Sequence, residues 1–191
     1  MEQYDLLITG GTVVDGSGGP AFEADVAVQG DRIVRVARAR LAPTPATRVI
    51  DATGKVVAPG FVDLHAHIER LLQIPAAEHY LRQGVTTLVG NPDGGWLPHR
   101  PSPWPLGPYL DSVAAARLAP NVAYYVGHNT VRREVLGMAD RAPSPDELAR
   151  MRSLVASAMG TGAVGLSTGL AYVPGAYATT DEICRARPGR R

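Results

Sequence analysis

Two histidines one residue apart, His65 and His67, are the sharpest chemical signal in the chain. If Phe61-Val62-Asp63-Leu64-His65-Ala66-His67 is a strand, alternate side chains share a face, and Asp63, His65 and His67 line up near its C-terminal end. Two imidazoles on one rigid edge make half of a divalent-metal site, whose other ligands must come from other elements. Taken alone, the pair reads equally well as two solvated or core histidines. The remaining candidates offer less: His79 falls in a helical segment and His99 in a proline-rich loop, and both read as solvated. Cys184 has no base or partner beside it and is assigned no chemistry.

The elements that must carry the pair fall into two patterns. Residues 1–57 read as short strands with turns: Leu6-Leu7-Ile8, Thr12-Val13-Val14, Asp25-Val26-Ala27-Val28, the alternating Arg32-Ile33-Val34-Arg35-Val36 and Arg48-Val49-Ile50-Asp51, punctuated by Gly10-Gly11, Gly16 to Pro20 and Gly30-Asp31. This predicts a small antiparallel β unit. From residue 58 the pattern becomes apolar runs separated by helix-length segments, with parallel strands expected at about 58–65, 85–91, 121–128 and 163–169. The clearest helix follows Ser144-Pro145-Asp146-Glu147, an N-cap, a proline at the first helical position and a capping-box glutamate. Leu148, Met151, Leu154, Val155, Ala158 and Met159 then form one apolar stripe. Strand and helix alternate four times, the grammar of an α/β fold that either a (β/α)8 barrel or a doubly wound sheet would produce. A full barrel takes about 250 residues, so residues 58 onward hold about half of one.

Composition excludes several classes. The 191 residues are 45% hydrophobic with a formal charge of +1, which gives no strong electrostatic pull toward nucleic acid or anionic membrane. The single cysteine allows no internal disulfide, Met1–Leu7 carries acids where a secretory signal carries bases, and no apolar run approaches the roughly 20 residues of a membrane helix. A soluble cytoplasmic protein is expected.

Four segments give the pattern a family. Val57-Ala58-Pro59-Gly60-Phe61-Val62-Asp63-Leu64-His65-Ala66-His67 resembles the start of the amidohydrolase superfamily. Gln83-Gly84-Val85-Thr86-Thr87, Gly127-His128-Asn129-Thr130-Val131-Arg132 and Gly162 to Tyr172 resemble its N-acyl-D-amino-acid deacylase (D-aminoacylase) branch, over nearly the whole chain. The resemblance implies the N-terminal half of a (β/α)8 TIM barrel at 58–183 beside a β-sandwich unit at 1–57, followed by an atypical Arg-rich tail at 184–191. It also implies one or two divalent ions, zinc first, held by His65 and His67. Deacylases often place a cysteine or an acid after the second strand; here Asp93 is the candidate, although Pro92-Asp93-Gly94 also reads as an ordinary turn. The same resemblance places Ser167, Thr168 and Tyr172 toward a small N-acyl amino acid substrate, with Arg132 considered for its carboxylate; turn and cap hydrogen bonds are the alternative for each.

The family completes its site with later histidines and an aspartate general base, and no histidine follows His128 here. The general base is therefore expected beyond the chain end. The expectation is a chain that belongs to the deacylases by sequence, is inactive alone and self-associates through open barrel edges. The alternatives are a non-catalytic fragment, for which the Arg-rich ending argues, and a dihydroorotase- or hydantoinase-like cyclic amidohydrolase.

Overall fold

The computed structural model describes residues 3–95 and 103–187, and its contacts divide the chain into two compact units, with the division between Pro59 and Gly60. His99 and the end of the Arg-rich tail lie outside the described residues.

The first unit is one five-stranded sheet. β1 (Leu6–Val13) pairs antiparallel with β2 (Phe22–Gln29), which pairs antiparallel with β3 (Arg32–Ala37). Gln29 faces Arg32 across a two-residue turn, and the first turn residue, Gly30, adopts φ 60, as tight hairpins demand. β4 (Arg48–Asp51) and β5 (Val56–Val57) then join the other edge of β1, both parallel to it. This corrects the expected antiparallel unit. Because β3 already covers β2, the chain crosses back to the free edge of β1, and short apolar strands carry no signal of direction. The buried Asp25 carboxylate accepts from the Gly10 and Leu41 amides, both at 2.9 Å, and pairs with Arg40 at 3.2 Å, so its charge is compensated. A sandwich needs two sheets, and the described residues of this unit supply one.

In the second unit β6 (Phe61–Ala66), β7 (Val85–Gly90) and β8 (Asn121–Tyr124) pair in parallel in chain order. The third run continues past Tyr125 as β9 (Val126–Gly127), which pairs in parallel with β10 (Leu166–Ser167). Four parallel runs therefore lie side by side in the order of the sequence. The fourth is shorter than 163–169, although Val164 N–H reaches the Tyr124 carbonyl and Val126 N–H the Gly165 carbonyl, each at 2.9 Å. The third differs at its end too: His128 and Asn129 do not close a strand but open α3 (His128–Leu136).

Helices α1 (Glu78–Leu81), α2 (Leu106–Ala115), α3 and α4 (Pro145–Gly160) connect the runs, and α5 (Thr180–Ala186) follows β10. α4 begins as its sequence dictates. The Ser144 side chain accepts from Glu147 N–H, and Glu147 accepts from Ser144 N–H at 2.8 Å while pairing twice with Arg141 at 2.7 Å. Those bonds hold the Glu147 carboxyl down to about 2. Met151, Val155 and Ala158 from its stripe enter a core with Leu88, Val126, Val131 and Tyr124. Among the described residues no helix is long and apolar enough to cross a membrane.

Candidate metal centre

β6 delivers the histidine pair to the C-terminal end of the parallel sheet. The strand's register with β7 shifts between Phe61 and Val62 and again between Asp63 and Ala66. There the Asp63 carboxylate accepts the His65 backbone N–H at 2.9 Å, so Asp63 shapes the strand end instead of joining the two imidazoles. His65 and His67 meet edge to face, with ring centroids 5.4 Å apart.

Asp93 comes from the turn after β7. Its Oδ2 lies 3.2 Å from His65 Nε2 and 3.4 Å from His67 Nε2. One donor atom from each of the three residues falls within 4.8 Å of the others, the one such cluster of three or more metal-ligating side chains among the described residues. Two neutral nitrogen donors and one anionic oxygen suit a borderline divalent ion such as zinc, so the donor set fits the group that the sequence implied. Asp93 is also in a turn, closed by Gly95 N–H on the Pro92 carbonyl at 2.9 Å. The turn is compatible with a ligand role, because it aims the Asp93 carboxylate at the strand end.

A fourth residue enters that the sequence did not single out. Glu69 Oε1 lies 3.1 Å from His67 Nδ1. A carboxylate there accepts a hydrogen bond from Nδ1–H and leaves the Nε2 lone pair facing Asp93, the arrangement that fixes tautomer and ring orientation in histidine metal ligands. The signal that could have found it is an acid two residues after the second histidine. Glu69→Gln is expected to weaken zinc binding about 10- to 100-fold while leaving the far-ultraviolet circular dichroism unchanged, as read by equilibrium dialysis.

The residues expected to face substrate scatter. Ser167 donates its hydroxyl to the Asn91 carbonyl at 2.8 Å, Thr168 is exposed on the following loop, and Tyr172 is exposed beyond it. Arg132 is not brought to the site. It is fully buried, with Nη1 on Glu182 Oε2 and Nη2 donating to the Arg141 carbonyl at 2.6 Å and the Ala139 carbonyl at 3.3 Å, so its guanidinium holds protein groups in place of a substrate carboxylate. Glu182 also meets His128 Nε2 at 2.9 Å. The pattern Thr179 to Glu182 resembles a capping box, but only half is used: Thr179 accepts Glu182 N–H, while the Glu182 carboxylate turns inward. Burial pushes that carboxyl up, but the bonds from His128 and Arg132 outweigh it and hold it below the ordinary value.

With this geometry in place, the chain can be assigned to a class: it belongs to the amidohydrolase family, whose profile matches residues 48–186. Its sequence is 40% identical to a D-aminoacylase of Alcaligenes xylosoxydans xylosoxydans over 95% of this chain and 41% of that one. A solved D-aminoacylase, described by its binuclear metal centre, superposes with a TM-score of 0.83 at 38% identity, over 96% of this chain and 42% of that one. An N-acyl-D-glutamate deacylase from Bordetella bronchiseptica, complexed with zinc and a phosphonate inhibitor, superposes at 0.84 with 33% identity, over 97% and 42%. The chain thus spans about two fifths of the length of these relatives.

Proposed function

We propose that these residues form the first part of a zinc-dependent deacylase that hydrolyses N-acyl-D-amino acids to a carboxylate and a free D-amino acid. The observation that carries the reading is the convergence of His65, His67 and Asp93 at one sheet end, in a chain similar to D-aminoacylase over 95% of its length. In this reading residues 58–183 are the first half of a (β/α)8 barrel and residues 1–57 part of a β-sandwich. The four parallel runs in chain order support the barrel, as does the edge strand β6, which exposes Phe61, Val62 and Leu64.

His65 and His67 would hold a divalent ion through their Nε2 atoms, and Asp93 through its carboxylate. Such an ion supplies Lewis-acid polarisation of the amide carbonyl and activation of water at neutral pH. The chain's own residues do the positioning. Glu69 fixes the His67 ring, Asp63 fixes the backbone of His65, and the rigid turn after β7 holds Asp93 opposite both. Thr168 and Tyr172 lie exposed on the segment after β10, available to an entering substrate.

The test is a chimera in which these 191 residues replace the matching part of a D-aminoacylase. It is expected to release D-amino acids from their N-acetyl derivatives, to leave the L-enantiomers intact and to lose all turnover on His65→Ala. A folded chimera that instead cleaves hydantoin or dihydroorotate would overturn the assignment.

A further inference from the structure

The Asp93 carboxylate faces the histidines, so its turn must be held from the other side. Asp93 sits at φ 54 and Asn91 at φ 64, left-handed conformations that cost a residue with a side chain and persist where the surroundings impose them. The restraints come from one direction. The Asn91 side-chain Nδ2 donates to the Tyr125 carbonyl at 2.8 Å, and the Asn91 backbone carbonyl accepts from Ser167 Oγ. Thr130 N–H reaches the Gly94 carbonyl at 3.2 Å. Between these, Asn129 Nδ2 spans two carbonyls, that of Asp93 at 3.4 Å and that of Gly169 at 3.2 Å.

Asn129 is fully buried, and its Oδ1 finds no donor among the described residues. An unsatisfied buried oxygen is costly, and an apolar side chain of similar size would avoid the cost. What an apolar side chain could not supply is a pair of donor hydrogens for two carbonyls on different loops. The packing admits little else: a Cβ on Gly94 would stand 2.6 Å from the Asn129 amide carbon, and one on Gly169 would overlap the Asp93 carbonyl oxygen.

We propose that Asn129 is a positioning residue for the metal centre: by tying the Asp93 carbonyl to that of Gly169, it holds the Asp93 carboxylate opposite His65 and His67 for a divalent cation. The inference rests on the reading of those three side chains as ligands and extends it to the groups that aim them.

The test is a double-mutant cycle on the 191-residue chain, with Zn²⁺ affinity from equilibrium dialysis and the visible spectrum of bound Co²⁺ as readouts. Asn129→Ala is expected to weaken Zn²⁺ binding about 10- to 100-fold and to alter the Co²⁺ spectrum. The same change in an Asp93→Ala background is expected to have no further effect, because Asn129 acts only through that carboxylate. Equal losses in both backgrounds, or an unchanged affinity in the parent, would overturn the proposal. If Asn129→Ala does not fold, Gly169→Ala, whose Cβ presses on the same Asp93 carbonyl, is read by the same cycle. An Asp93→Ala chain that binds Zn²⁺ as tightly as the parent, while His65→Ala does not, removes Asp93 from the ligand set and the inference with it.

Discussion

Arg132→Ala is expected to destabilise the second unit by about 3–5 kcal/mol, the range observed when one partner of a buried ion pair is removed. The loss has little to do with the attraction itself. Glu182 lies 3% exposed between Arg132 and His128, and without the guanidinium its buried carboxylate is left without its bond to Nη1. The Ala139 and Arg141 carbonyls lose their donor as well, so the loop that leads into α4 loosens at the same time. Removing both charges, as Arg132→Met with Glu182→Leu, is expected to cost less than Arg132→Ala alone, because no buried charge is then left uncompensated. Urea midpoints of the parent, Arg132→Ala, Arg132→Met, Glu182→Leu and the double variant measure this. Strictly additive losses would show that the pair is not coupled.

The same group sets an acid limit. The Glu182 carboxyl is held below its ordinary value of 4.5 in the folded chain, so the unfolded chain takes up that proton at a higher pH than the folded one. Its contribution is present above about 4.5 and is lost as pH falls below that toward the folded value. Glu182→Gln is accordingly expected to be less stable than the parent at neutral pH and to show a flatter stability profile below pH 4.5.

What the sequence made legible follows from how local each signal is. His65 and His67 could be paired because strand alternation is set by neighbours two residues apart, and α4 could be bounded because its cap, proline and stripe sit within one segment. Asp93 was reachable only through the resemblance, since Pro-Asp-Gly looks the same whether its carboxylate meets water or two imidazoles. The pairing of Arg132 with Glu182 was not legible for the opposite reason. They are 50 residues apart, and each has a local explanation, the arginine as a candidate for a substrate carboxylate and the glutamate as the fourth residue of a capping-box pattern. Their burial depends on α5 folding back onto α3, which no local pattern announces. Asn129 is the same case, because the carbonyls it spans lie 36 and 40 residues away in the chain.

His67→Ala is expected to lower Zn²⁺ affinity by roughly 10²- to 10³-fold, more than any change in the groups that merely orient the ligands. Structural zinc sites with four protein ligands bind with about 10–16 kcal/mol, so one ligand accounts for roughly 2.5–4 kcal/mol. His67 is also the residue through which Glu69 acts, so Glu69→Gln is expected to add nothing once the imidazole is gone, whereas His65→Ala and Glu69→Gln should compound. The two histidines therefore separate in a cycle although they are equivalent in sequence. His67 carries a carboxylate on its far nitrogen, while the structural partner of His65 is the Asp63 carboxylate on its backbone N–H. Dialysis against Zn²⁺ with each single and double variant reads the difference. A His67→Ala chain that binds as the parent does would remove the imidazole from the centre, and Asp93 would then stand opposite His65 alone.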